Sequence, residues 1–115
     1  MKKLSEITSK NQYVLDILGE RLTVSSYNAR VMRDMELDGK NIREFFAEAE
    51  IFPTTTSVMF LWYLLTAESK QFFDNNIEAL FESLGQQELD KVGMLVTRIY
   101  EDGQPAGKKL EDATA

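Results

Sequence analysis

Residues Val58–Leu65 read Val-Met-Phe-Leu-Trp-Tyr-Leu-Leu, an unbroken apolar run. A helix that is apolar all round has to be buried all round, in a core, against a partner or in a membrane. A membrane span takes about 20 apolar residues. This run is closed off by Thr54, Thr55, Thr56 and Ser57 before it and by Thr66 and Glu68 after it. It is therefore expected to be a buried element of a small domain, or one that is half core and half protein–protein interface.

The chain has 115 residues, the size of one domain. Folding should remove roughly two-thirds of the unfolded surface from water, enough for one real core. There is no cysteine, which excludes disulfides, thiolate nucleophiles and thiolate metal sites. There is no histidine either, which removes the commonest general base and the commonest transition-metal ligand. The net charge is −6, and the 13 basic residues are scattered, with adjacent pairs only at Lys2-Lys3 and Lys108-Lys109. Without a basic stripe to neutralise phosphates, nucleic acid is not an expected partner. The N-terminus opens at Met1 to Thr8 like a secretory signal, but the segment from Leu4 on carries Glu6 and Lys10 and no apolar core. A cytoplasmic location is expected, with no membrane partner.

Residues 1–12 read as a loose lead-in, 13–102 as a single helical domain and 103–115 as a disordered tail. Tyr13–Leu18 and Arg21–Val24 are short β-prone runs on either side of Gly19-Glu20, with Leu15, Ile17, Leu22 and Val24 alternating with polar residues. That pattern suggests a β-hairpin, and a helix over Asn11–Glu20 is the competing reading. Ser25 and Ser26 are good caps for a helix from Tyr27 to about Leu37, with Tyr27, Val31 and Met35 on one face. Asp38-Gly39 is a stop. Asn41 then caps a helix Ile42–Glu50 with apolar face Ile42, Phe45, Phe46 and Ala49.

Pro53 interrupts the chain, and Thr54 to Ser57 offer caps for a helix from Val58 to about Ala67. Ser69 starts another helix, or the chain continues with a bend. Phe73, Ile77, Leu80, Phe81 and Leu84 form an amphipathic stripe ended by Gly85 in the usual position after a helix. A last helix from about Gln87 to Glu101 carries Leu89, Val92, Val96 and Ile99. Gly93 inside it weakens it by about 1 kcal/mol relative to Ala, which points to a close helix–helix contact. The fold class is thus mainly α: a small bundle of four or five short helices with a possible N-terminal β-hairpin.

Little of this carries catalytic chemistry. Glu44 and Glu48 are one helical turn apart with Glu50 nearby, a spacing that could hold Mg²⁺ or pair an acid with a base. Their position opposite the apolar face makes a solvated surface the stronger reading, and the same holds for Glu78, Glu82, Glu88 and Asp90. Ser57 and Ser69 (beside Lys70) lie in no serine-nucleophile motif. Gly103 and Gly107 flank Pro105 with no helix after them, so they are no phosphate cradle. No enzyme activity, cofactor or metal is expected.

The aromatics say more. Phe45, Phe46, Phe60, Trp62, Tyr63, Phe72, Phe73 and Phe81 are many for a core of this size. A helix over Val58–Leu65 points its residues in all directions, and a small domain rarely encloses one helix completely. Phe60 and Leu64 are expected inside, with Trp62 or Tyr63 facing a second subunit. The candidate surface for self-association or partner binding is Phe45, Phe46, Trp62, Tyr63, Phe72 and Phe73.

Three features together resemble the tail assembly chaperones of long-tailed bacteriophages, the group with the lambda-type frameshifted pair. The first is the N-terminal order: a strand, the turn Leu18-Gly19-Glu20, a strand ending Leu22-Thr23-Val24, then the Ser-capped helix through Arg30–Glu36. The second is a small acidic helical body without a catalytic set. The third is the tail, Pro105-Ala106-Gly107-Lys108-Lys109. Gly-Lys-Lys can be written in codons that slip, so Gly107, Lys108 and Lys109 are the candidate frameshift position. The resemblance implies a non-enzymatic chaperone that self-associates and coats the tape measure protein. A frameshifted form would recruit the tail tube protein, and neither form would be in the mature virion. Two other readings stay open: a cytoplasmic helical adaptor or regulator that dimerises through its aromatic helix, and a small enzyme using Glu44 and Glu48 with Mg²⁺.

Overall fold

In a computed structural model that describes residues 12–104, two strands lead into six helices. The candidate frameshift position at Gly107–Lys109, nearly all of the lead-in and most of the tail lie outside the described residues. Strands β1 (Gln12–Ile17) and β2 (Glu20–Ser25) pair antiparallel, with Leu15 opposite Leu22 and Tyr13 opposite Val24. Leu18 and Gly19 both have positive φ, 57° and 73°. That is the turn whose twist matches a two-residue hairpin. The hairpin reading therefore holds over the helical one. Leu15, Ile17, Leu22 and Val24 face the core, as their alternation requires.

Helix α1 spans Ala29–Leu37. Its cap is Asn28, whose Oδ1 accepts from the Val31 N–H at 3.2 Å, and not Ser25 or Ser26. Ser25 still belongs to β2, and its hydroxyl donates to the Leu64 carbonyl. The chain needs Ser26 and Tyr27 to turn out of the sheet. Gly39, at φ 74°, closes α1; the Lys40 N–H reaches back to the Met35 carbonyl at 2.8 Å, a left-handed helix stop. Helix α2, Ile42–Ala49, is capped by Asn41 as expected.

Helix α3 runs Pro53–Leu64, starting five residues before the expected Val58. Pro53 begins this helix instead of breaking it. At the first helical position its missing N–H would have had no partner, and its fixed φ suits the turn. Thr54 to Ser57 thus lie inside the helix and are not its caps. The helix also ends early, because Leu65 turns extended and bridges to Val24. The Thr66 N–H then donates to the Thr23 carbonyl, so the end of α3 is stitched to the edge of β2.

Thr66 caps the short α4, Ala67–Gln71. Asp74 and Asn75 follow at φ 55° and 56°, a left-handed geometry that these two residue types tolerate better than most. They split the expected Phe73–Leu84 stripe, so that α5 covers only Ile77–Ser83 under an Asn76 cap. Gly85 does not end α5 in a left-handed turn. It is extended (φ −95°) and precedes α6, Gln86–Asp102, with its N–H directed at Glu88 Oε1.

The six helices and the hairpin share one core with α3 at its centre. Helix α3 packs on α1, α2, α5, α6 and β2. Val58, Phe60, Leu61, Tyr63, Leu64 and Leu65 are buried, while Met59 and Trp62 are half-buried. The domain therefore encloses its apolar helix far more fully than a chain this size was expected to. The aromatic surplus has an internal explanation as well. Phe60 sits within 6 Å of Tyr27, Phe45 and Phe46, and Tyr100 contacts Tyr27 and Phe46. These rings join the turn before α1 to α2, α3 and α6 through edge-to-face and tilted contacts. Among the described residues, no helix is long and apolar enough to cross a membrane.

Candidate functional site

The six candidate interface aromatics fall into two groups. Phe45, Tyr63 and Phe73 are only 3%, 7% and 3% exposed. They are core residues of this chain and present almost nothing to a partner, because α2, α3 and the α4–α5 turn fold them inward. Phe46 is half-buried on Tyr100, 4.4 Å between ring centres. Trp62 and Phe72 keep more surface. Trp62 is half-buried with the Lys70 ammonium 5.5 Å from its ring centre, and Phe72 is 45% exposed, edge-on to Phe73.

Beside Trp62 lies a polar clasp. Arg30 donates to Asp34 (3.1 Å), to the Tyr63 carbonyl (2.8 Å) and to the Ser25 hydroxyl (2.9 Å). The Tyr63 hydroxyl donates to Asp38 Oδ2 at 2.7 Å. Burial pushes the Tyr63 phenol up, and the hydrogen bond and negative charge of Asp38 push it further. Burial pulls the Lys70 ammonium down, with Arg30 adding to the effect. Burial acts to raise Asp34, but the hydrogen bonds from Arg30 and Arg33 outweigh it and leave its carboxyl below its ordinary value. A phenol moved away from neutrality exchanges no proton near pH 7. What the cluster does is hold α1, the end of α3 and β2 together.

The carboxylates stand as surface groups. Glu44, Glu48 and Glu50 are exposed on α2 and just after it. No group of three acidic side chains among the described residues could hold a metal ion. Ser69 is engaged in the fold: its buried Oγ accepts from the Thr23 N–H at 2.8 Å and from the Thr66 hydroxyl. Neither the acid pair nor this serine is arranged with partners that would make a reactive centre.

The exposed large apolar side chains that sequence reasoning missed lie on several elements. Leu37, Ile51, Phe52 and Met94 are 77%, 71%, 59% and 76% exposed, and Val14 is 52% exposed. Met94 stands as a ridge on α6 between two shallow grooves. Leu89, Asp90, Gly93, Thr97 and Glu101 line one, and Val14, Leu15, Asp16, Lys91 and Leu95 line the other. A signal was present in the sequence. Met94 falls off the Leu89, Val92, Val96, Ile99 stripe, and at 100° per residue it points nearly opposite Val92, Val96 and Ile99. Gly93 beside it makes no close contact with any described residue. A Cβ built there meets nothing within 4 Å, so none of the described helices makes the expected close contact. Comparison of the chain with protein-family models, with curated proteins and with solved structures finds no match.

Proposed function

We propose that this chain is a non-enzymatic assembly chaperone of the phage tail type. In this reading it self-associates and coats the tape measure protein while a tail is built. A form extended by frameshifting at Gly107–Lys109 brings in tail tube protein. It acts in the host cell cytoplasm and is left out of the mature virion. The observation that carries the reading is the set of exposed large apolar side chains, Leu37, Ile51, Phe52 and Met94, on a domain whose own core is complete. Surface of this kind suits contact with other proteins. The resemblance in the hairpin and helix order supports it, and so does the net charge of −6, which keeps an apolar-surfaced protein in solution.

The adaptor reading rests on dimerisation through the aromatic helix, where Tyr63 is enclosed and, of the aromatics, only the half-buried Trp62 keeps surface for a partner, so it has less support. The test is the nucleotide sequence over Gly107–Lys109 and downstream of it, where the reading expects a long coiled-coil, tape-measure-like protein to be encoded, together with co-expression of that protein with this chain. The reading expects that protein to become soluble in complex with this chain, and the codons to form a slippery run before an overlapping frame. Codons that cannot slip, or a tape measure protein that stays insoluble and unbound, would overturn it.

A further inference from the structure

We infer that the outward face of α6 is a two-fold interface between copies of this chain, with Met94 packed against Met94 of the second copy. Met94 is 76% exposed in the middle of the longest helix, nearly opposite the buried Val92, Val96 and Ile99. It forms a ridge flanked by a groove on either side. A surface that carries both a ridge and a groove can pack on itself, which is the requirement of an isologous contact. Gly93 borders the ridge, and none of the described residues approaches it within 4 Å of where a side chain would begin. A glycine in mid-helix destabilises the helix, and a second helix lying close across Gly93 gives it a role.

Charge selects the occupant. Asp90 and Arg98 lie four residues before and after Met94, about 6 Å below and above it. Antiparallel helices related by a two-fold axis at Met94 bring each Asp90 level with Arg98 of the other copy. Both groups are exposed. Among the described residues, Arg98 approaches the Asp102 carboxylate at 3.8 Å and lies over the Tyr13 ring. Asp90 takes one hydrogen bond from the Gln86 side chain. The pairing occurs twice per dimer and needs no other protein.

The inference rests on the self-association in the proposed function and on nothing concerning the tape measure protein. The test is analytical ultracentrifugation of the full chain over a wide concentration range, with circular dichroism to check folding. A concentration-dependent dimer is expected. Met94→Glu and Gly93→Leu should each weaken it more than about tenfold while the chain stays folded, since neither side-chain position is packed against the described residues. Asp90→Arg and Arg98→Asp should each weaken it, and the double variant should restore it by exchanging the two charges.

A chain that stays monomeric throughout overturns the inference. So does an oligomer indifferent to Met94→Glu, or a double variant that is no better than the single ones. If truncation after Gln104 makes a monomeric chain associate through Met94, residues 105–115 cover the face instead, and the inference also fails. A dimer broken by Met94→Glu in a chain that leaves the tape measure protein insoluble would uphold this interface and overturn the assembly reading.

Discussion

Tyr63 and Trp62 are neighbours in the sequence with different positions in the fold. Residues 100° apart on a helix face different surroundings, and only the placement of α1 and α4 determines which one is enclosed. Neither α1 nor α4 can be located from the apolar run, so this distinction was not legible. The Tyr63 hydroxyl donates to Asp38 at 2.7 Å in a part-buried setting. Tyr63→Phe should therefore destabilise the fold by about 1.5 kcal/mol, the lower end for a hydrogen bond to a charged group, as read by urea unfolding at pH 7. The pH dependence has a definite sign. The Tyr63 phenol is raised above its ordinary value of about 10 in the folded state, so above that pH the folded chain binds more protons than the unfolded one. The stabilisation is complete below pH 10 and declines as pH rises above it. Burial raises Tyr13 and Tyr27 as well, so the whole fold should weaken in alkali. The stability gap between the wild type and Tyr63→Phe should narrow above pH 10. A constant gap would show that the phenol does not titrate differently in the two states.

Among the elements, legibility followed how local the determining physics is. The hairpin was legible because its turn and its alternation are both short-range. Asn41 was legible as a cap because only one good capping residue stood at that boundary. The α1 cap was not, since Ser25, Ser26 and Asn28 all suit the role and the route of the sheet chooses among them. Pro53 misled because a proline ends one helix or begins the next with equal ease.

Two substitutions test this element-level account. Leu18 holds φ 57° in the hairpin turn and is 42% exposed. Leu18→Asn should stabilise the fold by about 0.5–1 kcal/mol, because Asn followed by Gly is a preferred pair for this turn. Gly93→Ala should stabilise it by up to about 1 kcal/mol, measured by thermal melting at a concentration where the chain is monomeric. A loss of stability at Gly93→Ala would mean that a neighbour lies closer to that position than the fold places it.

At the scale of the whole molecule, the apolar run was legible as buried, and it is the axis on which the other elements assemble. That the chain could enclose α3 itself was not legible, because the enclosure comes from the hairpin and four helices, each contributing one side. Nor was the role of the aromatics, since a ring cluster spanning three helices and the turn before α1 depends on contacts far apart in sequence. This architecture separates two kinds of apolar residue sharply. Phe60 is 1% exposed at the meeting point of the Tyr27, Phe45 and Phe46 rings, and truncating a core Phe to Ala typically removes about 3–5 kcal/mol. A domain of this kind has about 5–15 kcal/mol in all, so Phe60→Ala should leave the chain marginally folded or unfolded. Met94→Glu, at a position 76% exposed, should change the stability of the monomer by no more than about 0.5 kcal/mol. Urea titrations of both variants, followed by Trp62 fluorescence and by circular dichroism, give the comparison. The two probes should coincide for the wild type, because α3 touches nearly every element and none can unfold while the others stay packed. If Phe60→Ala left the helical circular dichroism largely intact while Trp62 became fully exposed, α3 would not be the common core of the domain.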